Sequence, residues 1–165
     1  MQPSKRYPAA IAFAETARAF CGLVESAPSF DRRELAKRCL RILPTLISQA
    51  LELRDAGKLC THPDRITTES WQVVFRNLRT QFAEWDGYQK IFDPYETGKP
   101  EPLKGSIADD LAGTWQDLRL GLMVLDAGSS ANAIAEWRFS FEYHRGPNHA
   151  IHVLRPLFSL VFADE

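Results

Sequence analysis

Residues 71–85 read WQVVFRNLRTQFAEW, and the spacing of their large apolar side chains decides the fold class. These side chains recur at intervals of three and four residues, which places them on one face of a helix with 3.6 residues per turn. Thr67 or Thr68 supplies a hydroxyl that can cap the first turn of this helix. We therefore predict a long amphipathic helix whose buried face is formed by Trp71, Val74, Phe75, Leu78, Phe82 and Trp85.

Two further helices are predicted upstream. Pro8 suits the first position of a helix because its fixed φ is already helical, and an apolar stripe of helical period follows it. Ser29 can cap the next helix, which we expect to run to Gly57. Pro44 lies inside this second helix, so we expect either a kink there or two abutting helices.

Downstream, the helical pattern stops once and then returns. Residues 93–105 hold three prolines and two glycines, which predicts an ordered loop or an extended crossing, and no stretch of the chain shows a strand pattern. Ser106 followed by Asp109 is a capping-box variant that opens the next helix. Ser129 or Ser130 caps another helix, and a last helix ends the chain.

The composition favours an all-α fold. Alanine and leucine together contribute 37 residues against 14 valines and isoleucines, and the first pair favours helices whereas the second favours strands. With 45% hydrophobic and 25% charged residues, the chain has the profile of a globular domain rather than a disordered or fibrous protein. We predict an all-α, compact antiparallel bundle of about six or seven helices, with residues 1–165 forming a single helical domain.

The sequence also bears on location. No apolar run approaches the roughly 18 residues that a membrane span needs, and residues 1–8 lack the apolar stretch of a signal peptide. The three cysteines are widely spaced and odd in number, which fits reduced thiols better than disulfides or a thiolate zinc site. We therefore expect a cytoplasmic protein with no membrane partner.

Charge is distributed unevenly along the chain. Residues 1–83 carry 13 basic and 8 acidic side chains, a net charge of +5, whereas residues 84–117 carry 3 and 8, a net charge of -5. These segments can neutralise each other within the fold or mark a surface for a partner, and the sequence leaves both readings open. The chain has no polybasic tail, so we do not expect nucleic acid as a partner.

Three stretches resemble a known family. They read WDGY at residues 85–88 followed by FDPYE at 92–96, GSIADDL at 105–111, and EWRFSFE at 136–142 with His144, Gly146, His149 and Ala150 beyond it. In this order and spacing they resemble the bacterial family known as domain of unknown function 5063, over most of the chain. The resemblance implies an all-α fold and a bacterial protein, but it implies no activity, ligand or catalytic residue.

Carboxylates and imidazoles in the second half form a candidate metal centre. His149 and His152 are three residues apart, which places both imidazoles on one face of a helix, and a carboxylate can complete a site with an open position for a hydrolytic metal. Helix capping for Asp109 and the helix dipole for Asp110 are the simpler explanations. The candidate ligands for a divalent metal are Asp109, Asp110, His144, His149 and His152.

Two charged surfaces are candidates for binding a protein. One is the acidic, aromatic segment that leads into the long loop, because tyrosine combines an apolar body with a polar group. The other is the basic face of the second helix, where cations recur at a spacing of four. A pinned loop and a solvated helix face are the simpler alternatives. The candidate residues are Tyr88, Phe92, Asp93, Tyr95, Glu96, Arg33 and Arg41.

No recognised catalytic motif accompanies these patterns, so we favour a non-enzymatic protein-binding or adaptor module that has no cofactor. The alternative is a metal-binding protein or a metal-dependent hydrolase that uses the carboxylate and histidine cluster. A third possibility is a small-ligand binder with a pocket near Trp137 and Tyr95.

Overall fold

The computed structural model describes residues 8–53, 65–91, 95, 98, 102–144 and 147–162, of which residues 144, 147 and 148 are described by their backbone alone. The described residues contain six α-helices and two short strands. Among these residues, no helix has both the length and the apolar composition needed to cross a lipid bilayer. In chain order the elements are α1 (Pro8–Glu25), α2 (Arg32–Leu51), α3 (Thr68–Phe82), β1 (Gly87–Lys90), β2 (Leu103–Ser106), α4 (Ile107–Asp126), α5 (Ser130–Phe139) and α6 (Leu154–Phe162).

Short irregular helices complete the chain path. Turns of 3-10 helix at Ala27–Ser29 and Ala83–Trp85 precede α2 and β1. Two π-helical segments, Ser140–His144 and Pro147–Ile151, lie between α5 and α6. The prediction of an all-α class is confirmed, because helices build nearly all of the described structure.

The central element is α4, which packs against α1, α3 and α5, while α2 packs against α1 and α6. Trp137 of α5 lies directly over Gly121 of α4 and donates its indole N–H to the Leu118 carbonyl at 3.2 Å. Phe13 of α1 packs on the same indole, with ring centroids 4.8 Å apart. A single buried tryptophan therefore joins three helices of the core.

Side-chain caps begin α2, α3 and α4, whereas Ser129 stands at the start of α5 without a side-chain cap hydrogen bond. The Thr67 hydroxyl accepts the amide of Ser70 at 3.2 Å, and the Ser106 hydroxyl accepts the amide of Asp109 at 3.1 Å, so both predicted caps are present. The cap of α2 is Asp31, whose carboxylate accepts a backbone amide three residues on. The prediction of Ser29 as this cap was wrong, because that residue belongs to the preceding 3-10 turn.

Two prolines lie inside α-helices without dividing them. The chain passes through Pro44 as one α2 helix that ends at Leu51, and the predicted end at Gly57 lies outside the described residues. Pro156 stands third in α6, in the first turn, where an amide has no partner within the helix. It therefore fits the start of α6 rather than dividing it.

The two strands pair antiparallel, with Gly87 opposite Ser106 and Lys90 opposite Leu103. No strand was predicted, because four residues are too few to show a period of two. Tyr88 lies opposite Gly105, and its ring is so close that a methyl group at position 105 would lie 2.6 Å from it. This strand pair holds β1 against the start of α4.

Candidate functional site

The site is built at the N-terminus of α4, which the buried carboxylate of Asp86, the residue before β1, holds in place. Asp86 is 4% exposed, and its side chain accepts hydrogen bonds from the Ala108 amide at 2.7 Å and the Ser106 hydroxyl at 2.8 Å. Its backbone carbonyl accepts the Ile107 amide at 2.9 Å. These bonds satisfy donors that a helix start otherwise leaves unpaired, and they fix the position of Asp110 one turn further on.

Asp110 is the centre of the site, and its side chain is fully buried. The Tyr88 hydroxyl donates to Oδ2 of this carboxylate, Nδ1 of His149 lies 2.6 Å from Oδ1, and the Lys90 ammonium lies 3.5 Å from Oδ1. A buried carboxylate is costly unless it is paired and hydrogen-bonded, and here three donors from two segments enclose it. The helix dipole alone therefore does not account for Asp110.

Tyr88 is kept in its protonated, donating form. Burial raises the pKa of its hydroxyl, and the hydrogen bond to Asp110 raises the pKa further, as do the charges of Asp110 and Asp109. Its ring packs over Gly105, which limits the direction in which the hydroxyl can point. This residue, predicted to bind a partner, directs its polar group into the interior.

Three of the candidate metal ligands converge. One ligand atom each from Asp109, Asp110 and His149 lie within 4.8 Å of one another. Among the described residues, His152 does not join this group, because the chain passes from a π-helical segment into a turn between the two histidines. The side chain of His144 lies outside the described residues.

A cavity of about 570 Å³ lies beside the Asp110 centre, between β1 and the start of α6, and we call it the hairpin cavity. Tyr88 and Lys90 line it from β1, and His152 and Arg155 line it from the start of α6. Trp85, which is 41% exposed, also lines it. Its size falls within the range of small-molecule sites. Trp137 and Tyr95, the two residues expected to mark a ligand pocket, are not part of it.

A second concavity, of about 850 Å³, lies between α2 and α6, and we call it the α2–α6 groove. Phe158 and Phe162 are 57% and 65% exposed and pack on each other, with ring centroids 4.6 Å apart. Other apolar side chains continue the surface, and three cations lie among them. The basic lining consists of Lys37, Arg41 and Arg155.

The residues predicted to bind a partner are dispersed. Arg41 lines the α2–α6 groove, and Arg33 lies elsewhere on α2. Tyr95 is 88% exposed and lies far along the chain from both. The predicted Phe92, Asp93 and Glu96 lie outside the described residues.

Sequence reasoning missed Lys90, Asp86 and Arg155. Lys90 shares a strand face with Tyr88 because side chains two residues apart point the same way, but this signal requires the strand to be recognised first. Asp86 lies between a 3-10 turn and β1, and its bonds to the start of α4 depend on tertiary contact that no local pattern shows. Arg155 could have been found from its place on α6, one turn before two exposed phenylalanines at helical spacing.

These features describe a helical protein in which a buried carboxylate at the start of the central helix meets a short strand pair. The chain belongs to the family described as a domain of unknown function, DUF5063, which it matches over residues 5–163. The predicted resemblance is thereby confirmed. Among solved structures, the crystal structure of protein BF1032 from Bacteroides fragilis is similar, with 26% identity, a TM-score of 0.79, and coverage of 94% of this chain and 93% of that one. Among curated proteins, no match is found.

Proposed function

We propose that this chain is a cytoplasmic protein-binding module that receives an acidic, amphipathic helix of a partner protein in the α2–α6 groove. The observation that carries this proposal is the composition of the groove: an exposed apolar surface with three basic side chains, and no acidic side chain among the described residues that line it. The buried free thiols of Cys21 and Cys39 agree with a reducing compartment.

The apolar part of the groove supplies a contact for the partner. Phe158 and Phe162 stand four residues apart on α6 and keep more than half of their surface in water. Covering the exposed part of these side chains removes apolar surface from water, which stabilises a complex. Clustered exposed aromatic residues of this kind are typical anchors of protein interfaces.

The charges of the groove indicate that the bound surface of the partner is negatively charged. On α2, Arg32 and Arg38 are each neutralised by a glutamate at 2.7 Å. By contrast, Lys37, Arg41 and Arg155 form no ion pair or side-chain hydrogen bond with any described residue. These three cations are therefore free to meet carboxylates, which would steer an acidic partner towards the groove.

The shape of the groove favours a helix as the bound element. Two helices, α2 and α6, form its walls, and an amphipathic helix buries its apolar face well against such a surface. An acidic helix with leucines at intervals of three and four can cover the phenylalanines and place glutamates near the cations at once.

The test uses a fluorescein-labelled peptide of about 15 residues with leucines at helical spacing and glutamates elsewhere, followed by fluorescence anisotropy. We expect binding that weakens about tenfold in F158A and in R41E, and that declines with added salt. R76E, which changes an exposed arginine on α3, is the matched control and should bind like the parent.

Two results would overturn this proposal. One is equal binding of a peptide in which lysines replace the glutamates, because the cations of the groove then specify nothing. The other is binding to anionic lipid vesicles that exceeds peptide binding and is lost in F158A, which would assign the groove to a membrane surface.

The second candidate function is divalent-metal binding, supported by the convergence of Asp109, Asp110 and His149 within 4.8 Å. The arrangement supplies two oxygen ligands and one nitrogen ligand, a set that suits Zn²⁺ or Mn²⁺. Lys90 lies 3.5 Å from Asp110, so a cation bound there has to displace the lysine ammonium. This competition makes metal binding the weaker of the two functions.

Elemental analysis of protein purified without a metal-chelating tag tests the metal centre. Stoichiometric metal, and a rise in melting temperature with Zn²⁺ that is lost in D109N, are the expected results. E69Q, which removes an exposed carboxylate from α3, is the control. Absence of metal together with no thermal shift contradicts this function.

A further inference from the structure

We propose that the hairpin cavity is a binding site for a small organic anion, a carboxylate or phosphate group carried on an apolar body. This site goes beyond the protein-binding function: it shares Ile151 and Arg155 with the α2–α6 groove, but the rest of its polar lining includes residues of β1 that the groove lacks. Its volume of about 570 Å³ suits a ligand of one or two rings.

The charge of the lining indicates an anion. Lys90 and Arg155 line the cavity, whereas no aspartate or glutamate does so among the described lining residues. Arg155 forms no ion pair or side-chain hydrogen bond with any described residue. A guanidinium group without a partner can bind a carboxylate or phosphate through two parallel N–H donors.

Lys90 is a positioned donor rather than a flexible surface lysine. Its side chain is 16% exposed, and Asp110 holds its ammonium at 3.5 Å. An ammonium group has three N–H donors, so two remain for a ligand after this contact. Asp110 is itself fixed by Tyr88 and His149, which makes the position of the ammonium independent of the ligand.

The apolar lining specifies the rest of the ligand. Trp85, Ile91 and Ile151 line the cavity and are 41%, 50% and 49% exposed. An aromatic or aliphatic body packed against these side chains removes them from water while its anionic group faces Lys90 and Arg155. This division between one polar group and one apolar body is typical of small-molecule sites.

Calorimetric titration with four probes of one shape tests the proposal. Phenyl phosphate and phenylacetate carry the anion, and benzyl alcohol and benzylamine are the neutral and cationic counterparts. We expect at least one anion to bind and the other two probes not to bind. The stronger of the two anions tells whether phosphate or carboxylate is preferred.

Two variants locate the bound anion. R155Q should weaken its binding about tenfold, the typical loss of a charged hydrogen bond. K90M should weaken it as well, and R155Q keeps the test valid if K90M fails to fold. R76Q on α3 and F162A in the α2–α6 groove should bind like the parent. Binding of benzylamine at equal strength, no binding of either anion, or full binding by R155Q would each overturn the proposal.

Discussion

Gly105 determines where the hydroxyl of Tyr88 points, because any larger residue would push the ring away. A methyl group at position 105 would lie 2.6 Å from the ring, closer than real side-chain carbons approach. We expect G105A to lower the free energy of unfolding by about 1–3 kcal/mol, measured by urea titration. The control is G87A in the facing strand, where no atom lies within 4 Å, and its change should stay within about 0.5 kcal/mol. Equal losses in both variants would show that the ring contact is unimportant.

Also at the residue scale, two buried thiols make the protein sensitive to alkali. Burial raises the pKa of Cys21 and of Cys39 from 9.0 to about 12. Below pH 9 these thiols are protonated in both the folded and the unfolded chain. Between pH 9 and about 12 the unfolded chain ionises first, so the free energy of unfolding falls as the pH rises.

The expected loss is about 1.4 kcal/mol per pH unit for each thiol. We predict that C39A shows a shallower decline than the parent when urea titrations are compared at pH 8 and pH 10.5. Loss of the sulfur atom lowers the free energy of unfolding of C39A by the same amount at every pH, so it shifts the curve of stability against pH without changing its slope. Parallel curves for the two proteins would contradict a buried, neutral Cys39.

At the scale of elements, Ala83 marks a strained junction between α3 and the turn that leads to β1. Its φ of 44° and ψ of -118° lie where glycine is favoured over other residues. We expect A83G to raise the free energy of unfolding by about 1 kcal/mol, because relief of strain exceeds the added freedom of the unfolded chain. A127G at the end of α4, where φ is -74°, should instead be neutral or destabilising. A loss of stability in A83G would show that the junction is relaxed with alanine.

The helices and strands also show how much of this fold can be predicted from the sequence. Local signals sufficed for α1, α3 and α4, because a proline or a side-chain cap at the start lies within a few residues of an apolar stripe. Trp85 is the exception: it was predicted on the buried face of α3, but it lies beyond the helix end and is 41% exposed. The strands escaped prediction since each has four residues and is stabilised by pairing across a long loop. Ser29 was assigned as a cap because a hydroxyl before a helical pattern cannot be told from one inside a 3-10 turn.

At the scale of the molecule, the packing of α4 on α5 depends on a glycine beneath a tryptophan. A methyl group at position 121 would overlap the Trp137 indole nitrogen. We expect G121A to destabilise the protein by about 3 kcal/mol, and the double variant G121A/W137L to lose clearly less than the sum of its two single variants. G22A on α1 has open space around it and should gain up to about 1 kcal/mol. Additive losses in thermal unfolding would contradict direct contact as the cause.

Only part of the candidate site was predicted, because the site depends on contacts between distant parts of the chain. Asp109, Asp110 and His149 were identified as chemistry-bearing residues, but their convergence depends on how the segment after α5 returns to α4. Lys90 and Arg155 carry local signals, but neither signal identifies a site without the tertiary contacts of the fold. Lys90 matters because the fold places it beside Asp110, and Arg155 matters because it forms no ion pair with any described carboxylate.

One wall of the molecule serves two concavities. Ile151 and Arg155 line both the hairpin cavity and the α2–α6 groove. When the Arg155 guanidinium binds a ligand in one of these concavities, its position relative to a ligand in the other changes. If a ligand in the hairpin cavity changes the affinity of the α2–α6 groove by some factor, a ligand in the groove must change the affinity of the cavity by the same factor, because thermodynamic linkage is reciprocal. The two proposed sites thus share a side chain through which binding at one can change the affinity of the other.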